Sequence, residues 1–182
     1  MITTNNKKLF EKSKSLRNLC FGKKDRFNHE DIGWNYRMTN LQASLGVSQL
    51  KRIKSIVHKR HLVGKEYFQR LKYNKNIYIP ETSRNYAKNI YWVIAFVITN
   101  KNLNIDAKKM MKKLITYGIQ TRPFFWPMHK QKIFKEKYKI NTSGNYKNSE
   151  YISKYGLYLP SSLDIKSNQI KFICDKVNSI LK

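Results

Sequence analysis

The chain has few cysteines, few acidic side chains and no long apolar run, and each shortage excludes a class of protein. Its 182 residues include only two cysteines, Cys20 and Cys174, which fit neither a disulfide framework nor a metal site. The longest apolar run, "IYWVIAFVI" at residues 90–98, is shorter than the roughly 18 apolar residues that a membrane-spanning helix needs. The first residues, "MITTNNKKLFEK", contain no apolar core of a secretory signal. We therefore expect a cytoplasmic protein.

The scarcity of acids leaves a large positive charge. The 11 Asp and Glu face 37 Lys and Arg, which gives a formal net charge of +26, and such a charge is typical of proteins that bind nucleic acid. Composition offers a second cause, because the chain contains 29 Lys, 19 Ile and 18 Asn, all encoded by codons rich in A and T. The lysines are spread in ones and twos and form no stripe with interleaved aromatics. A basic nucleic-acid-binding module stays an alternative, although the sequence contains no recognisable nucleic-acid-binding motif.

The spacing of apolar residues predicts several helices. A short helix begins at Asn5 or Asn6, and a loop follows over residues 20–35. A pattern of about thirty residues then begins at Asn40 and predicts a long helix that either traverses the whole domain or bends, with Gly46 and Gly64 as the natural places for a bend. Further helices are predicted within "DAKKMMKKLITYG", "WPMHKQKIFKEKY", "SEYISKYG" and "SNQIKFICDKVNSILK".

Shorter apolar segments predict strands. "IYIP", "YWVIAFVIT" and "IQTRPFF" should form a small sheet, and "YWVIAFVIT" should be central because it is apolar on both faces. "MITT" is interpreted as the end of a further strand, and "LYLPSS" as an extended exit. These segments together predict an α+β fold in which a long helix and other helices cover a small sheet.

A polar cluster lies ahead of the predicted long helix. "IGWNYRMTNLQASLG", residues 32–46, places Asn35, Tyr36 and Arg37 where one capping side chain would suffice. The surplus of hydrogen-bonding groups points to a ligand. The alternatives are a turn-forming role for Asn35 and an ion pair of Arg37 with Glu30 or Asp31.

A second candidate segment lies in "TRPFFWPMH". Arg122 and His129 bracket two prolines, which hold the chain extended, and aromatics that include Trp126, which offer a stacking surface for a sugar or a base. The alternative is a packed loop in which the arginine makes its hydrogen bonds within the protein and binds no ligand. No metal site is predicted, because the other histidines lack a second ligand type at metal spacing.

Three ordered blocks resemble the DegT/DnrJ/StrS family of nucleotide-sugar aminotransferases, most closely its perosamine-synthase-like members. They are "GWNYRMTNLQASLGVSQLKRI", "YGIQTRPFFWPMHKQ" and "LYLPSSLDIKSNQIKFICDKV". The resemblance implies pyridoxal phosphate (PLP) as cofactor and the aspartate aminotransferase fold, fold type I. It also implies that Met1 stands near the middle of a complete enzyme. Residues 1–34 would then be a remnant of the large cofactor domain, and residues 35–182 the C-terminal small domain.

The resemblance also assigns roles. Asn35 would contact the PLP phosphate of the neighbouring subunit, and Arg37, Arg122, Trp126 and His129 would bind the nucleotide sugar. No catalytic residue is assigned, since none of the 29 lysines matches the context of the lysine that binds PLP covalently.

We therefore expect half of an aminotransferase that makes an amino sugar for cell-surface polysaccharide. It should be inactive alone and should need the missing N-terminal half or a second subunit, with a homodimer in the complete enzyme. Phe21, Phe27, Trp34 and the start of the long helix should then expose an apolar surface. A non-functional gene fragment is the other alternative.

Overall fold

The computed structural model describes residues 2–24, 27–141 and 143–182. Within it the chain forms two compact units, residues 1–53 and residues 54–182. The predicted boundary after residue 34 concerns the origin of the first segment within a larger enzyme. The division into units does not test that origin, and the boundary stays a prediction.

The described part of the N-terminal unit contains two complete helices, α1 (Lys7–Arg17) and α2 (Asn40–Lys51). The Asn6 side chain accepts hydrogen bonds from the backbone N–H groups of Lys8 and Leu9 at 3.0 and 3.2 Å, which confirms the predicted start of α1. Thr39 and Gln42 form a reciprocal capping box at the start of α2. Residues 2–4, interpreted as the end of a strand, belong to no strand, because no described segment pairs with them.

The predicted long helix is two helices. α2 ends at Lys51, Arg52 leaves helical geometry with φ −104° and ψ 4°, and α3 spans Ile53–Leu71. The interruption lies at Arg52 and not at Gly46 or Gly64, since both glycines lie inside helices. Gly64 instead allows the close approach of Tyr91, because a Cβ at position 64 would lie 2.2 Å from the Tyr91 ring.

The described residues of the C-terminal unit form six strands: β1 (Ile77–Tyr78), β2 (Ser83–Arg84), β3 (Ala87–Lys88), β4 (Ile94–Ile98), β5 (Arg122–Pro123) and β6 (Gly156–Leu159). Four of them make one antiparallel sheet in the order β1-β4-β6-β5, and β2 and β3 make a separate hairpin. β4 is interior, as predicted, and Phe96 in it opposes Leu157 of β6. The predicted three-stranded sheet has a fourth strand, because the segment interpreted as an exit pairs with β4 and β5.

The described part of the C-terminal unit also contains α3, α4 (Ala107–Ile115), α5 (Lys132–Glu136), α6 (Lys147–Tyr155) and α7 (Ser167–Ile180). Asp106 caps α4, the helix predicted within "DAKKMMKKLITYG", by accepting a hydrogen bond from the Lys109 backbone N–H at 2.8 Å. One core cluster joins α3, α4 and α7 to β4 and β6; its largest members are Tyr67, Leu71, Phe96, Ile98, Met110, Leu114, Leu157, Ile170 and Leu181. The observed architecture is therefore the predicted α+β arrangement.

Very little of the N-terminal unit is buried. Cys20 is its only buried residue among those that the structure describes. Phe27 and Trp34 are exposed, as predicted, and so is α2, where Leu41 is 78% exposed. Phe21 is half-buried, because its ring packs edge-on against Phe27 with centroids 5.5 Å apart.

The two helical glycines give a matched stability test. We expect Gly64→Ala to lower the free energy of unfolding by about 1–3 kcal/mol, because the new methyl group overlaps the buried Tyr91 ring. Gly46→Ala should leave it unchanged or raise it by up to about 1 kcal/mol, since nothing lies within 4 Å of that Cβ position and alanine favours a helix. Urea unfolding followed by circular dichroism measures both. Equal effects of the two substitutions would contradict the Tyr91 contact.

Candidate functional site

The segment that carries Asn35 is held against the end of α1. The backbone N–H of Trp34 donates to the Leu16 carbonyl at 2.8 Å, and that of Tyr36 donates to the Arg17 carbonyl at 3.0 Å. Gly33 makes this approach sterically feasible, because a Cβ there would lie 2.6 Å from the backbone of the preceding turn. The position of Asn35 is therefore set by backbone hydrogen bonds on both sides of it.

The Asn35 side chain is oriented by Arg37. Arg37 Nε donates to Asn35 Oδ1 at 3.1 Å, so the amide oxygen is used inside the loop, whereas no residue that the structure describes accepts a hydrogen bond from the NH₂ group. Both residues are exposed. The capping of α2 is performed by Thr39, so Asn35 is not needed for that helix.

The predicted alternative for Arg37, an ion pair with a nearby acid, is not formed with Asp31. That carboxylate binds Lys12 at 2.6 Å. The hydrogen bond from Lys12, followed by the one from the Ile32 backbone, holds the pKa of Asp31 below its usual value. The guanidinium of Arg37 therefore serves the Asn35 amide and still has N–H groups for an anion.

Arg122 lies at the edge of the sheet in the C-terminal unit. In β5 it pairs with Tyr158 of β6. Its exposed side chain lines a cavity of about 310 Å³ together with Trp92 and Thr121. The Thr121 hydroxyl is buried, and none of the described residues forms a hydrogen bond to it.

An aromatic surface adjoins this cavity. The rings of Trp92 and Phe125 are 66% and 67% exposed, and they stack with centroids 6.4 Å apart and planes 15° from parallel. The rings of Tyr158 and Phe125 are in an edge-to-face arrangement, with centroids 6.0 Å apart. Exposed stacked aromatics of this kind suit the flat face of a base or a sugar.

Sequence reasoning missed Trp92, because the whole run around it was assigned to the central strand. The structure begins β4 only at Ile94. Tyr91 has φ 52°, and this left-handed turn precedes the strand and leaves Trp92 at the surface. No sequence signal marks a tyrosine for that conformation, which favours glycine or asparagine.

Trp126 and His129 lie in the loop that follows β5. Trp126 is 58% exposed, and its Nε1–H donates to the Lys130 carbonyl at 3.1 Å. His129 is more enclosed: only 13% of its side chain is exposed, and its Nε2 lies 3.0 Å from Glu150 Oε1. The ring of Tyr146 covers it, with centroids 4.3 Å apart.

Glu150 holds two loop residues at once. Its second carboxylate oxygen lies 3.1 Å from the Lys130 ammonium. The hydrogen bond from His129, followed by that from Lys130, lowers the pKa of Glu150. The loop is therefore tied to α6 through a carboxylate, a contact that sequence reasoning missed.

The five predicted contact residues fall into two groups. Asn35 and Arg37 are together in the N-terminal unit, and Arg122, Trp126 and His129 are together in the C-terminal unit. Their roles toward a cofactor and a substrate stay predictions. Across the described ranges, no cluster of three or more His, Cys, Asp or Glu side chains could hold a metal ion. Nor is any helix there long and apolar enough to cross a membrane.

Residues 1–178 match the DegT/DnrJ/EryC1/StrS aminotransferase family. The chain belongs to this family. GDP-perosamine synthase of Escherichia coli O157:H7 is 24% identical to it over 178 residues, which are 98% of this chain and 46% of that protein. The chain thus spans about half the length of the curated relatives that it matches.

Solved structures show the same fold. Helicobacter pylori PseC, an aminotransferase involved in the biosynthesis of pseudoaminic acid, matches with a TM-score of 0.84 and 22% identity over 98% of this chain and 47% of its own. Escherichia coli GDP-4-keto-6-deoxy-D-mannose-3-dehydratase, solved with bound hydrated PLP, matches with a TM-score of 0.76 and 15% identity over 99% and 49%. These likenesses confirm the predicted fold. One fold supports a transaminase and a dehydratase, so the reaction must be argued from the site.

The Glu150 contact should depend on pH. Because the folded pKa of Glu150 lies below the ordinary value of 4.5, its contacts with His129 and Lys130 are formed above that value and are lost as the pH falls through the folded pKa. Carbon-13 NMR of the glutamate carboxyl groups would measure this titration. In His129→Ala the Glu150 midpoint should rise toward the ordinary value, and in Lys130→Ala it should rise less. Identical midpoints in all three proteins would refute the contact.

Proposed function

We propose that this chain is the C-terminal part of a PLP-dependent aminotransferase that acts on a nucleotide-linked keto-deoxysugar, in perosamine-type synthesis of amino sugars for cell-surface polysaccharide. The family match over residues 1–178 carries the proposal. It is supported by relatives that include GDP-perosamine synthases. We also propose that the complete enzyme is a cytoplasmic homodimer, and that this chain is inactive without the rest of it.

The residues of the N-terminal unit fit the phosphate group of PLP. Arg37 uses the Asn35 amide oxygen, so two amide N–H donors remain for an anion, and hydrogen bonds to a charged acceptor are the stronger kind. PLP, when bound, supplies an electron sink for the transfer of an amino group. Within this chain, the part of Asn35 is to bind and orient the phosphate. The covalent attachment belongs to a lysine outside the chain.

The C-terminal unit offers a matching surface for the nucleotide sugar. The Arg122 guanidinium suits the pyrophosphate, which it can bind through two parallel hydrogen bonds. The stacked pair Trp92 and Phe125 suits the base or the sugar ring. Trp126, which follows Phe125 in the sequence, is a further exposed aromatic residue, and its indole N–H donates to the Lys130 carbonyl.

The direct test is reconstitution. Co-expression with the half that carries the PLP-binding lysine should yield an assembly that transfers an amino group from glutamate to a nucleotide-linked keto sugar. In that assembly, Asn35→Ala should weaken PLP binding by about ten- to a hundredfold, since a charge-assisted hydrogen bond is worth about 1.5–3 kcal/mol. Arg122→Ala should instead raise the KM for the nucleotide sugar with little change in PLP affinity.

Spectroscopic titration of PLP measures the first effect, and initial rates measure the second. Asn35→Asp is the matched control, because it keeps the shape of Asn35 and replaces its donors with a negative charge, so it should weaken PLP binding at least as much as alanine. Unchanged PLP affinity in both Asn35 variants would remove Asn35 from the cofactor site.

The isolated chain should bind no PLP covalently at a defined site. No lysine here lies in the required context, so PLP mixed with the chain and then treated with borohydride should give only scattered labelling of surface lysines. Mass spectrometry of the digested protein distinguishes the cases. A stoichiometric adduct at a single lysine would contradict this division of the site.

A further inference from the structure

The contact between His129 and Glu150 restricts what His129 can do. Glu150 Oε1 lies 3.0 Å from His129 Nε2, and the lowered pKa of Glu150 keeps it ionised near neutral pH. An ionised carboxylate only accepts hydrogen bonds, so the hydrogen must be on Nε2. In a neutral imidazole, Nδ1 then carries the lone pair and becomes an acceptor.

Several contacts keep the ring in this orientation. The face of Tyr146 covers it, Lys130 holds the other oxygen of the same carboxylate, and Glu150 lies within α6. No described residue forms a hydrogen bond to Nδ1, and 13% of the His129 side chain remains exposed. Nδ1 is thus the ring nitrogen left for a ligand.

We propose that Glu150 is a positioning residue that fixes neutral His129 with hydrogen on Nε2, so that Nδ1 accepts a hydrogen bond from a hydroxyl group of the nucleotide sugar. This rests on the proposed function. It also assigns different groups of the nucleotide sugar to different residues of the C-terminal unit, because a nitrogen that accepts hydrogen bonds suits a hydroxyl and not a phosphate. The pyrophosphate then belongs to Arg122, whose guanidinium only donates.

The tautomer can be observed without any enzyme activity. His29 is an internal control of opposite kind, because its Nδ1 lies 2.7 Å from the Leu19 carbonyl oxygen, which requires hydrogen on Nδ1. In the full chain labelled with ¹⁵N-histidine, long-range ¹H–¹⁵N spectra at about pH 8, above the ordinary histidine pKa, should show Nε2–H for His129 and Nδ1–H for His29. His129→Gln assigns the signal.

A Glu150 variant tests the cause. Glu150→Ala removes the accepting carboxylate and should return the His129 tautomer to the mixture of free imidazole. Glu136→Gln, an exposed carboxylate of the neighbouring α5, should change nothing. Wild-type protein with hydrogen on Nδ1 of His129, or with a free mixture, would overturn the proposal.

Calorimetry with GDP-linked and UDP-linked keto-deoxysugars tests the ligand in the reconstituted assembly. His129→Gln retains a donor toward Glu150 but has no acceptor at the Nδ1 position, so the Kd should rise by about three- to tenfold, the worth of one neutral hydrogen bond. PLP affinity should not change in this variant.

The outcomes separate the two proposals. If the wild-type assembly binds the nucleotide sugar and His129→Gln binds it with the same Kd, the role of His129 is overturned and the proposed function is not. A wild-type assembly that binds no nucleotide sugar would overturn the proposed function and the hydroxyl contact together.

Discussion

The antiparallel pairing of β4 with β6 determines where Arg122 and Glu150 lie. β4 is buried along most of its length, and its partner β6 in turn pairs with β5, so that Arg122 stands opposite Tyr158. α6 ends at Tyr155 and β6 begins at Gly156, so Glu150 is fixed relative to the same strand. The strand thereby positions both the arginine and the carboxylate that holds the following loop.

Gly156 makes this arrangement sterically feasible. A Cβ at that position would lie 2.3 Å from the Phe124 ring and 2.5 Å from the Ile152 carbonyl oxygen. The loop after β5 can therefore pass directly over the start of β6, where the Phe124 backbone N–H donates to the Gly156 carbonyl at 3.1 Å. A larger side chain would push the loop away and would separate His129 from Glu150.

Much of the fold follows from local signals, and the departures have physical reasons. The interior strand and α4 were predictable because their apolar side chains and the Asp106 cap are local. β6 was not, since a four-residue strand is defined by partners distant in sequence. The break at Arg52 was not predictable either, because no glycine or proline marks it.

The site shows the same limit. The order of Asn35 and Arg37 along the chain suggested a ligand, but not that one orients the other. The pairing of His129 with Glu150, which are 21 positions apart, joins a loop to a helix and depends on tertiary structure. The sequence can therefore suggest a histidine as a binding residue, whereas the three-dimensional structure is needed to identify which ring nitrogen can bind a ligand.

The exposed N-terminal unit has a consequence for the life of the protein in a cell. Cys20 is the only side chain that its described residues bury, and burial is the main force that keeps a segment folded. A segment with so little of it opens readily, and proteases cleave open forms. A chain whose N-terminal unit stays uncovered should therefore be degraded more readily than a chain in which a partner buries that unit, and cleavage should begin within it.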